Sequence, residues 1–315
     1  MSSGEERQQR LCEALGITRP VLLAPMAGTA GGELASQVSL AGGLGFLGGG
    51  YGDPRWLREE MAHVPHGCRV GIGLITWHMA ENAVEEALAL RPRAVWLSFG
   101  DPAPHLPAIA KSDALAVTQV SRVCEAEAAI HAGADVVVAQ GSEAGGHGRQ
   151  GRSLFGLLPE IASSFPETPL VAAGSINDAQ GLRAAVELGA WGVALGSALA
   201  GTIEANDTDQ AKAKLVESKG DDTVQSTVFD HIRGPLWPEQ YVGRSVMNEL
   251  TNEWAGREAE MAPQLDELRE QYDVDNAESN MSRRVLWAGE GVSGIRDIVP
   301  ARHVIERFPQ FDTQT

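Results

Sequence analysis

The sequence predicts an α/β fold, a (β/α)8 barrel of the TIM type with a helical lid-like insertion near the C-terminus. Short apolar segments alternate with amphipathic segments from Pro20 to about Ala200, which is the order of elements in such a barrel. The apolar segments are continuous hydrophobic runs, as in parallel strands that are buried on both faces. Glycines stand at the ends of many runs, where the backbone can approach a ligand closely.

Eight strands are predicted from these runs. They are residues 21–26, 44–49, 69–75, 94–99, 114–120, 135–141, 169–175 and 192–199. Eight such units make a compact barrel here, because a barrel of this type usually has about 250 residues. We therefore expect the rest of the chain to complete the outer ring.

Helices are predicted where apolar residues recur three to four positions apart between the strands. The segments are residues 33–41, 81–90, 124–132 and 178–188. Gly133 and Gly189 follow two of these helices and suit a helix C-cap. Asn177 and Asp178 precede the last one and suit its N-cap.

A doubly wound open sheet is the competing architecture, because the glycine cluster at residues 43–50 invites a dinucleotide-binding interpretation. Its glycines straddle a strand instead of opening a helix, and the acidic residue expected about 20 positions later is not in place. The barrel therefore remains the predicted fold.

The pattern changes after Thr202, and we divide the chain into a barrel (residues 1–202), an acidic helical insertion (residues 203–286) and a segment that packs back on the barrel (residues 287–315). Helices are expected at 207–219, 245–272, 276–286 and from Pro300, with an irregular stretch at 220–243. Trp237, Tyr241 and Trp254 are expected to anchor the insertion to the barrel.

The charge excludes several functions. A net charge of −17 argues against nucleic acid and against an anionic membrane surface as partners. Residues 203–280 hold 18 acidic and 7 basic residues, which indicates a solvated acidic face. The N-terminus has no apolar segment of a signal peptide, and no run is long enough to span a bilayer.

The three cysteines, Cys12, Cys68 and Cys124, have no metal-ligand spacing and form no disulfide framework, so we expect no metal site and a cytoplasmic protein. Cys124 is expected to be a small packed thiol, with a reactive role as the alternative.

Two predicted strands end in glycine and serine: Gly174–Ser175 after the seventh and Gly196–Ser197 after the eighth. In barrels of this type the loops after these two strands commonly form a phosphate site. Glycine lets backbone N–H groups approach phosphate oxygens, and the serine hydroxyl adds a donor. The pair therefore predicts phosphate binding, against the alternative of two tight turns.

The loop QGSEAGGHGRQGRS, residues 140–153, follows the sixth strand and has almost no apolar surface. We therefore expect it to be ordered by a ligand or to be flexible. His147 is suited to proton abstraction from carbon or to substrate contact, because its ordinary pKa lies near neutrality. Glu143 either caps backbone amides or pairs with Arg149 or Arg152. Either arginine attracts an anionic substrate or is simply a surface residue.

Other strand ends suit a flat heteroaromatic ring. Residues 24–26 could offer backbone contacts, although Met26 is nearly as well explained as core, and Gly73 offers backbone only. Gln119 and Gln140 are neutral amides that can hydrogen-bond ring nitrogen and oxygen atoms. A glutamine in an apolar strand is costly without such a partner.

Together these motifs resemble the nitronate monooxygenase family, formerly called 2-nitropropane dioxygenases. The resemblance is carried, in order, by APMAG, GGLGFLGGG, GSEAGGHGR, AAGSI and ALGSA. The tail pieces FDHIRGPLWPEQYVGR and LWAGEGVSG resemble the fungal-type branch of that family. Nearly the whole chain is covered.

The resemblance implies an FMN enzyme that oxidises alkyl nitronates with O2 and needs no reduced nicotinamide. Nitroalkanes are a second substrate class that the resemblance allows. It implies that His147 deprotonates neutral nitroalkanes. It implies FMN contacts at Ala24, Pro25, Met26, Gly73, Gln119, Gln140, Gly146, Gly174, Ser175, Gly196 and Ser197. Gly73 and Gln140 stand where relatives of the bacterial branch have Asn and Asp, a departure that favours the fungal-type branch. Whether the chain forms a homo-oligomer stays open.

The rival function is an FMN-dependent NAD(P)H reductase on the same scaffold, either an enoyl-acyl-carrier-protein reductase or an NADH:quinone reductase. A non-catalytic flavin-binding protein is a third class. His147 in its polar loop argues against pure binding, which gains little from a titrating imidazole.

Overall fold

The computed structural model describes residues 3–313. Residues 1–2 of the predicted barrel and residues 314–315 of the predicted C-terminal segment lie outside the described residues. Within the described range the strands, in chain order, are β1 (Val21–Leu23), β2 (Phe46–Gly48), β3 (Gly71–Ile75), β4 (Ala94–Ser98), β5 (Leu115–Val120), β6 (Val136–Gln140), β7 (Gly146–Arg149), β8 (Leu170–Ala173), β9 (Gly192–Leu195), β10 (Thr223–Ser226) and β11 (Tyr241–Val246). Eight of them are parallel and form the barrel, which confirms the eight predicted strands.

The barrel sheet has the order β1-β9-β8-β6-β5-β4-β3-β2. It is closed between β1 and β2 by a bridge from Leu22 to Leu44. There the Leu23 N–H donates to the Leu44 carbonyl at 2.9 Å, and the Leu44 N–H donates to the Val21 carbonyl at 3.0 Å. The barrel strands are almost entirely buried, as their continuous apolar sequences require.

The α-helices of the described chain surround the barrel and build the insertion. They are α1 (Ser3–Leu15), α2 (Gly32–Leu40), α3 (Pro54–Ala62), α4 (Ala83–Ala89), α5 (Leu106–Ile109), α6 (Val123–His131), α7 (Leu154–Ser164), α8 (Ala179–Glu187), α9 (Ser197–Ala200), α10 (Asp209–Glu217), α11 (Val228–Arg233), α12 (Glu249–Trp254), α13 (Leu265–Ala277) and α14 (Ala301–Ile305). The four helices predicted between strands are confirmed as α2, α4, α6 and α8. Asp178 caps α8 by accepting from Gln180 and Gly181 N–H groups.

Helix α1, which the sequence pattern did not predict, covers the amino-terminal ends of the barrel strands. Leu11 packs against Gly192, the first residue of β9. Arg93, just before β4, donates from Nε to the Leu15 carbonyl at 2.9 Å. This end of the barrel is therefore closed, and the carboxyl ends of the strands remain for a ligand. At the other end of the chain, α14 buries Ala301, Val304 and Ile305 against the barrel core, as predicted.

The insertion contains more regular structure than its sequence suggested. The stretch 220–243, expected to be irregular, holds β10, α11 and the start of β11. Strands β10, β11 and β7 form a separate antiparallel sheet with β11 in the centre. Strand β7 belongs to the glycine-rich loop after β6, so this sheet joins the insertion to the barrel.

The helix predicted at 276–286 is wrong. Helix α13 ends at Ala277, and Ser279 takes the left-handed conformation with φ of +57°. The Asn280 carboxamide oxygen then accepts hydrogen bonds from the N–H and the hydroxyl of Ser282. Asn and Ser side chains compete in this way with the helical backbone and favour a turn.

The insertion has its own hydrophobic cluster, formed by buried residues of α11, α12 and α13 and the turn before α13. Its members are Val228, Phe229, Ile232, Leu250, Trp254, Met261 and Tyr272. Trp254, expected to contact the barrel, therefore packs inside the insertion. Trp237 and Tyr241 do contact the barrel, because both rings meet Phe99 edge-on, just after β4.

Two further observations concern sequence expectations. Cys124 is exposed, so the packed-thiol expectation is wrong. The buried face of α6 is formed by Ala126 and Ala129, and Cys124 lies on the other side.

Among the described residues, no helix has both the length and the apolar character needed to cross a bilayer.

Candidate active site

A cavity of about 530 Å³ opens at the carboxyl ends of the barrel strands. Barrel loops form one side of it, and residues of the insertion, among them Asp230, Trp237 and Tyr272, form the other. Its volume lies in the range of small-molecule and cofactor sites, which is roughly 300–1,000 Å³. The site therefore lies between the barrel and the insertion.

Nearly all residues that the sequence proposed for the site line this one cavity. They are Ala24, Pro25, Met26, Gln119, Gln140, Gly146, His147, Gly174, Ser175, Gly196 and Ser197. Gly73 does not line it. A Cβ added to Gly73 would collide with the Pro25 ring, so the glycine lets β1 and β3 approach behind the cavity wall.

The two glycine–serine loops form a cradle at one end of the cavity. The backbone N–H groups of Ser175, Ile176 and Ala198 donate to no acceptor within residues 3–313. A Cβ at Gly196 would meet only Met26 Sδ at 3.8 Å and Ala24 Cβ at 3.9 Å, so the protein itself leaves room there. Free N–H groups beside an open glycine are the features that phosphate binding requires.

A third glycine-rich loop completes the cradle, and it was not predicted from the sequence to be part of the site. Gly289 donates its N–H to Ser197 Oγ at 2.9 Å. A Cβ on Gly291 would lie 2.7 Å from Ser175 Cα, and one on Gly289 would lie 2.7 Å from the Glu143 carbonyl oxygen. The three loops therefore touch backbone to backbone. The available signal was the motif WAGEGVSG, which was used only as a family resemblance.

His147 lies on β7, and its ring is held on several sides. Its Nε2 is 2.8 Å from Asp230 Oδ1. The Trp237 indole stacks on the imidazole with ring centroids 3.7 Å apart and an angle of 7° between the planes. Trp287 approaches at 5.0 Å with a tilt of 54°. The imidazole thus has a defined orientation at the cavity wall.

The loop that carries His147 is ordered by pairing with β11. From the sequence, this loop was expected to be ordered by a ligand or to be flexible. His147 pairs with Gly243, and Gly148 pairs with Val242. The backbone hydrogen bonds of the polar loop are satisfied by a strand about 95 positions further along the chain. Sequence periodicity does not reveal such a distant partner.

Two glutamines connect the cavity wall to this loop. Gln119 Nε2 donates to Gln140 Oε1 at 2.9 Å, and Gln140 Nε2 donates to the His147 carbonyl at 2.9 Å. Ser98 Oγ donates to Gln119 Oε1 at 3.4 Å. Each amide nitrogen carries two hydrogens, so each retains one N–H for a ligand.

The three charged residues near His147 serve the protein framework. Glu143 accepts from the Leu154 N–H at 3.0 Å, in the first turn of α7, which matches the capping alternative. Arg149 pairs with Glu125 at 2.6 Å, and Arg152 pairs with Glu160 at 2.5 Å. Neither arginine lines the cavity.

Two arginines of the insertion, Arg233 and Arg284, line the cavity. Arg284 pairs with Asp207 at 2.7 Å. Arg233 is exposed at the cavity and forms no ion pair with any residue from 3 to 313. Tyr51 lies near Arg233. Burial raises the pKa of the Tyr51 hydroxyl, the Asp230 carboxylate raises that pKa further, and the charge of Arg233 lowers it. Tyr51 therefore keeps its proton at neutral pH.

Asp230 is a site residue that was not predicted from the sequence. It lies in α11, in a stretch expected to be irregular, and is 5% exposed. A carboxylate so deeply buried beside an imidazole is recognisable only once β7 and α11 are brought together. Within the described chain, no cluster of His, Cys, Asp and Glu side chains could hold a metal ion.

Each of the following comparisons with known proteins covers most of the chain. A family model described as nitronate monooxygenase matches residues 8–69 and 70–310. A nitronate monooxygenase of Metarhizium robertsii is 34% identical, over 91% of this chain and 87% of that protein. The structure of FabK from Thermotoga maritima superposes with a TM-score of 0.81 at 25% identity, covering 95% of this chain and 94% of that one. A nitroalkane oxidase from Streptomyces ansochromogenes gives 0.79 at 25% identity, covering 93% and 96%.

Proposed function

The chain belongs to the nitronate monooxygenase family, and from that membership we propose that it oxidises alkyl nitronates with bound FMN and O2, giving a carbonyl compound and nitrite. The family resemblance read from the motifs, including its fungal-type branch, is confirmed by the match to the family model and to the Metarhizium robertsii relative. The protein is thus an oxidoreductase; the cofactor, the oxidant and the reaction are the proposal.

One observation supports the proposal above the others: a glycine cradle and His147 line the same cavity. The cradle offers unused N–H groups at Ser175, Ile176 and Ala198. It also offers the open position at Gly196, where a side chain would project into the cavity. These residues fit the phosphate of FMN, and Gln119 and Gln140 each have an N–H left for a ring acceptor.

FMN, when bound, would supply the electron-accepting chemistry and the reactivity toward O2. The residues of this chain bind the substrate beside it, keep water out and move a proton. Trp237, Trp287 and Phe229 line the cavity around His147 and present apolar faces. An apolar wall excludes water and strengthens the electrostatic interactions inside the site.

His147 acts as the base for neutral nitroalkanes. The carbon–hydrogen bond next to the nitro group breaks, the proton moves to the imidazole, and the electron pair is delocalised into the nitro group as the nitronate. A preformed nitronate needs no such step. Under this proposal there are two substrate forms, of which only the neutral one depends on a base.

The test is anaerobic mixing of the purified flavoprotein with a nitronate and, separately, with NADH or NADPH, followed by flavin absorbance. We expect the nitronate to bleach the flavin and the nicotinamides to leave it oxidised. In air, the nitronate should consume O2 at full rate without a nicotinamide. Rapid reduction by NADH with no response to nitronate would instead assign the protein to the NAD(P)H reductases, the rival function that the sequence motifs left open.

A further inference from the structure

The contact between His147 and Asp230 joins two parts of the molecule. His147 lies on β7, in the loop after a barrel strand, and Asp230 lies on α11 of the insertion. Their side chains are 11% and 5% exposed, and Nε2 is 2.8 Å from Oδ1. Within residues 3–313, His147 Nδ1 has no hydrogen-bond partner, and neither does Asp230 Oδ2.

We propose that Asp230 is a positioning residue that keeps the proton of the neutral imidazole on Nε2, so that Nδ1 of His147 is the atom that deprotonates the substrate. This inference rests on the proposed function, because it specifies the base of that reaction. It adds a residue from the insertion to a site otherwise built by the barrel.

The tautomer follows from the donors and acceptors of the two groups. An ionised carboxylate can only accept hydrogen bonds, and a neutral imidazole carries a single N–H. A 2.8 Å contact between Nε2 and a carboxylate oxygen therefore requires the hydrogen on Nε2. Nδ1 is left with its lone pair, and it is the ring nitrogen that no protein group occupies in the described chain.

The surrounding rings keep the imidazole in this orientation. Trp237 stacks on the ring at 3.7 Å with nearly parallel planes, and Trp287 flanks it at 5.0 Å. Turning the ring over would keep the stacking but break the bond to Asp230 and leave a buried carboxylate without its partner. Loss of such a bond is costly in a buried site.

Asp230 also stabilises the product of proton transfer. When Nδ1 takes the proton from the substrate carbon, the imidazole becomes a cation with hydrogens on both nitrogens. The contact to Asp230 then becomes a hydrogen bond between opposite charges, which is stronger than a neutral one. The Trp237 ring face adds a cation–π contribution. Both contacts favour the proton-transfer step.

The test is Asp230→Asn, compared with Asp275→Asn as a matched control. Asp275 is also a buried carboxylate of the insertion, but it pairs with Arg283 at 2.9 Å and does not line the cavity. The carboxamide introduced by Asp230→Asn can donate to Nε2, which moves the imidazole hydrogen to Nδ1. In serine proteases the same exchange beside the catalytic histidine costs about 10⁴-fold in kcat.

We expect Asp230→Asn to lower kcat/KM for a neutral nitroalkane by about 10²–10⁴-fold, the usual contribution of a general base. Turnover of the preformed nitronate should fall much less, because that substrate needs no proton removed, and the FMN content should equal that of the wild type. Asp275→Asn should leave the ratio of the two activities unchanged. A D230N enzyme that retains wild-type nitroalkane turnover, or that loses both activities equally, would overturn the proposal.

Nitrogen-15 NMR of histidine-labelled protein reads the tautomer directly, with the His147 signals assigned by their loss in His147→Asn. We expect the hydrogen on Nε2 in the wild type and on Nδ1 in D230N; a wild type with the hydrogen on Nδ1 refutes the inference even if D230N does not fold. Failure of the proposed function looks different: the wild-type flavoprotein would then turn over neither the nitronate nor the nitroalkane, whichever nitrogen of His147 carries the hydrogen.

Discussion

Two of the glycines that the sequence proposed for the site, Gly73 and Gly196, are glycine for different reasons. Gly73 is required by the protein, because a Cβ there would collide with Pro25. Gly196 is not, because its nearest neighbours would be 3.8 Å and 3.9 Å from an added Cβ. A residue that the fold does not require, at a cavity wall, indicates space kept for a ligand.

Replacement of Gly196 by leucine should therefore leave the fold intact and remove FMN. The side chain would project into the cradle where backbone must approach the phosphate. We expect a colourless protein with a wild-type circular dichroism spectrum. Gly156→Leu is the matched control, because Gly156 lies on α7 with only Ser153 Oγ near, at 4.0 Å. A yellow G196L protein with bound FMN would contradict this assignment of the cradle.

Replacement of His147 by asparagine should separate the two substrate forms. Turnover of a neutral nitroalkane should fall by about 10²–10⁴-fold, while a preformed nitronate should lose less. The measurement is steady-state O2 consumption with each form of the same compound at equal flavin content. If both forms decline together, His147 binds or orients the substrate and is not its base.

At the scale of elements, the sequence predicted what is local. Each barrel strand is a self-contained apolar run, so all eight were recognised, and the cradle residues followed from their positions after β8 and β9. Strands β7, β10 and β11 were not predicted because their pairing is not local: Arg244 of β11 pairs with Gly146 of β7. Asp230 was not predicted as a site residue for the same reason, since only that pairing brings α11 to His147.

The same pairing predicts that residues 203–286 do not fold alone. Without β7, the central strand β11 keeps only β10, and an isolated two-stranded sheet is marginal in water. The hydrophobic cluster of the insertion would also lose its contact with Trp287, whose ring centroid lies 6.0 Å from that of Phe229. We expect the isolated segment to show no cooperative thermal transition by circular dichroism. The full-length chain, melted in the same buffer, is the control; a sigmoidal melt of the fragment would show an independent domain.

At the scale of the whole molecule, the cavity lies between the barrel and the acidic insertion, so a bound cofactor would hold both. Ligands that bind only the folded state stabilise it, by about 2.7 kcal/mol at a concentration of 100 times Kd. FMN added to flavin-free protein should therefore raise the melting temperature. Riboflavin, which lacks the phosphate, should raise it less at equal concentration. Equal shifts for the two flavins would show that the glycine cradle does not bind phosphate.

The register between β7 and β11 also limits how this sequence can change in length. Successive residues of a strand face opposite sides, so shifting the register by one residue reverses every side chain. In this register Gly243 lies opposite His147. There its missing side chain leaves room for the Trp287 ring, which a Cβ would strike. A single-residue insertion or deletion within β11 would place a bulkier residue there. Strand β11 must therefore keep its length.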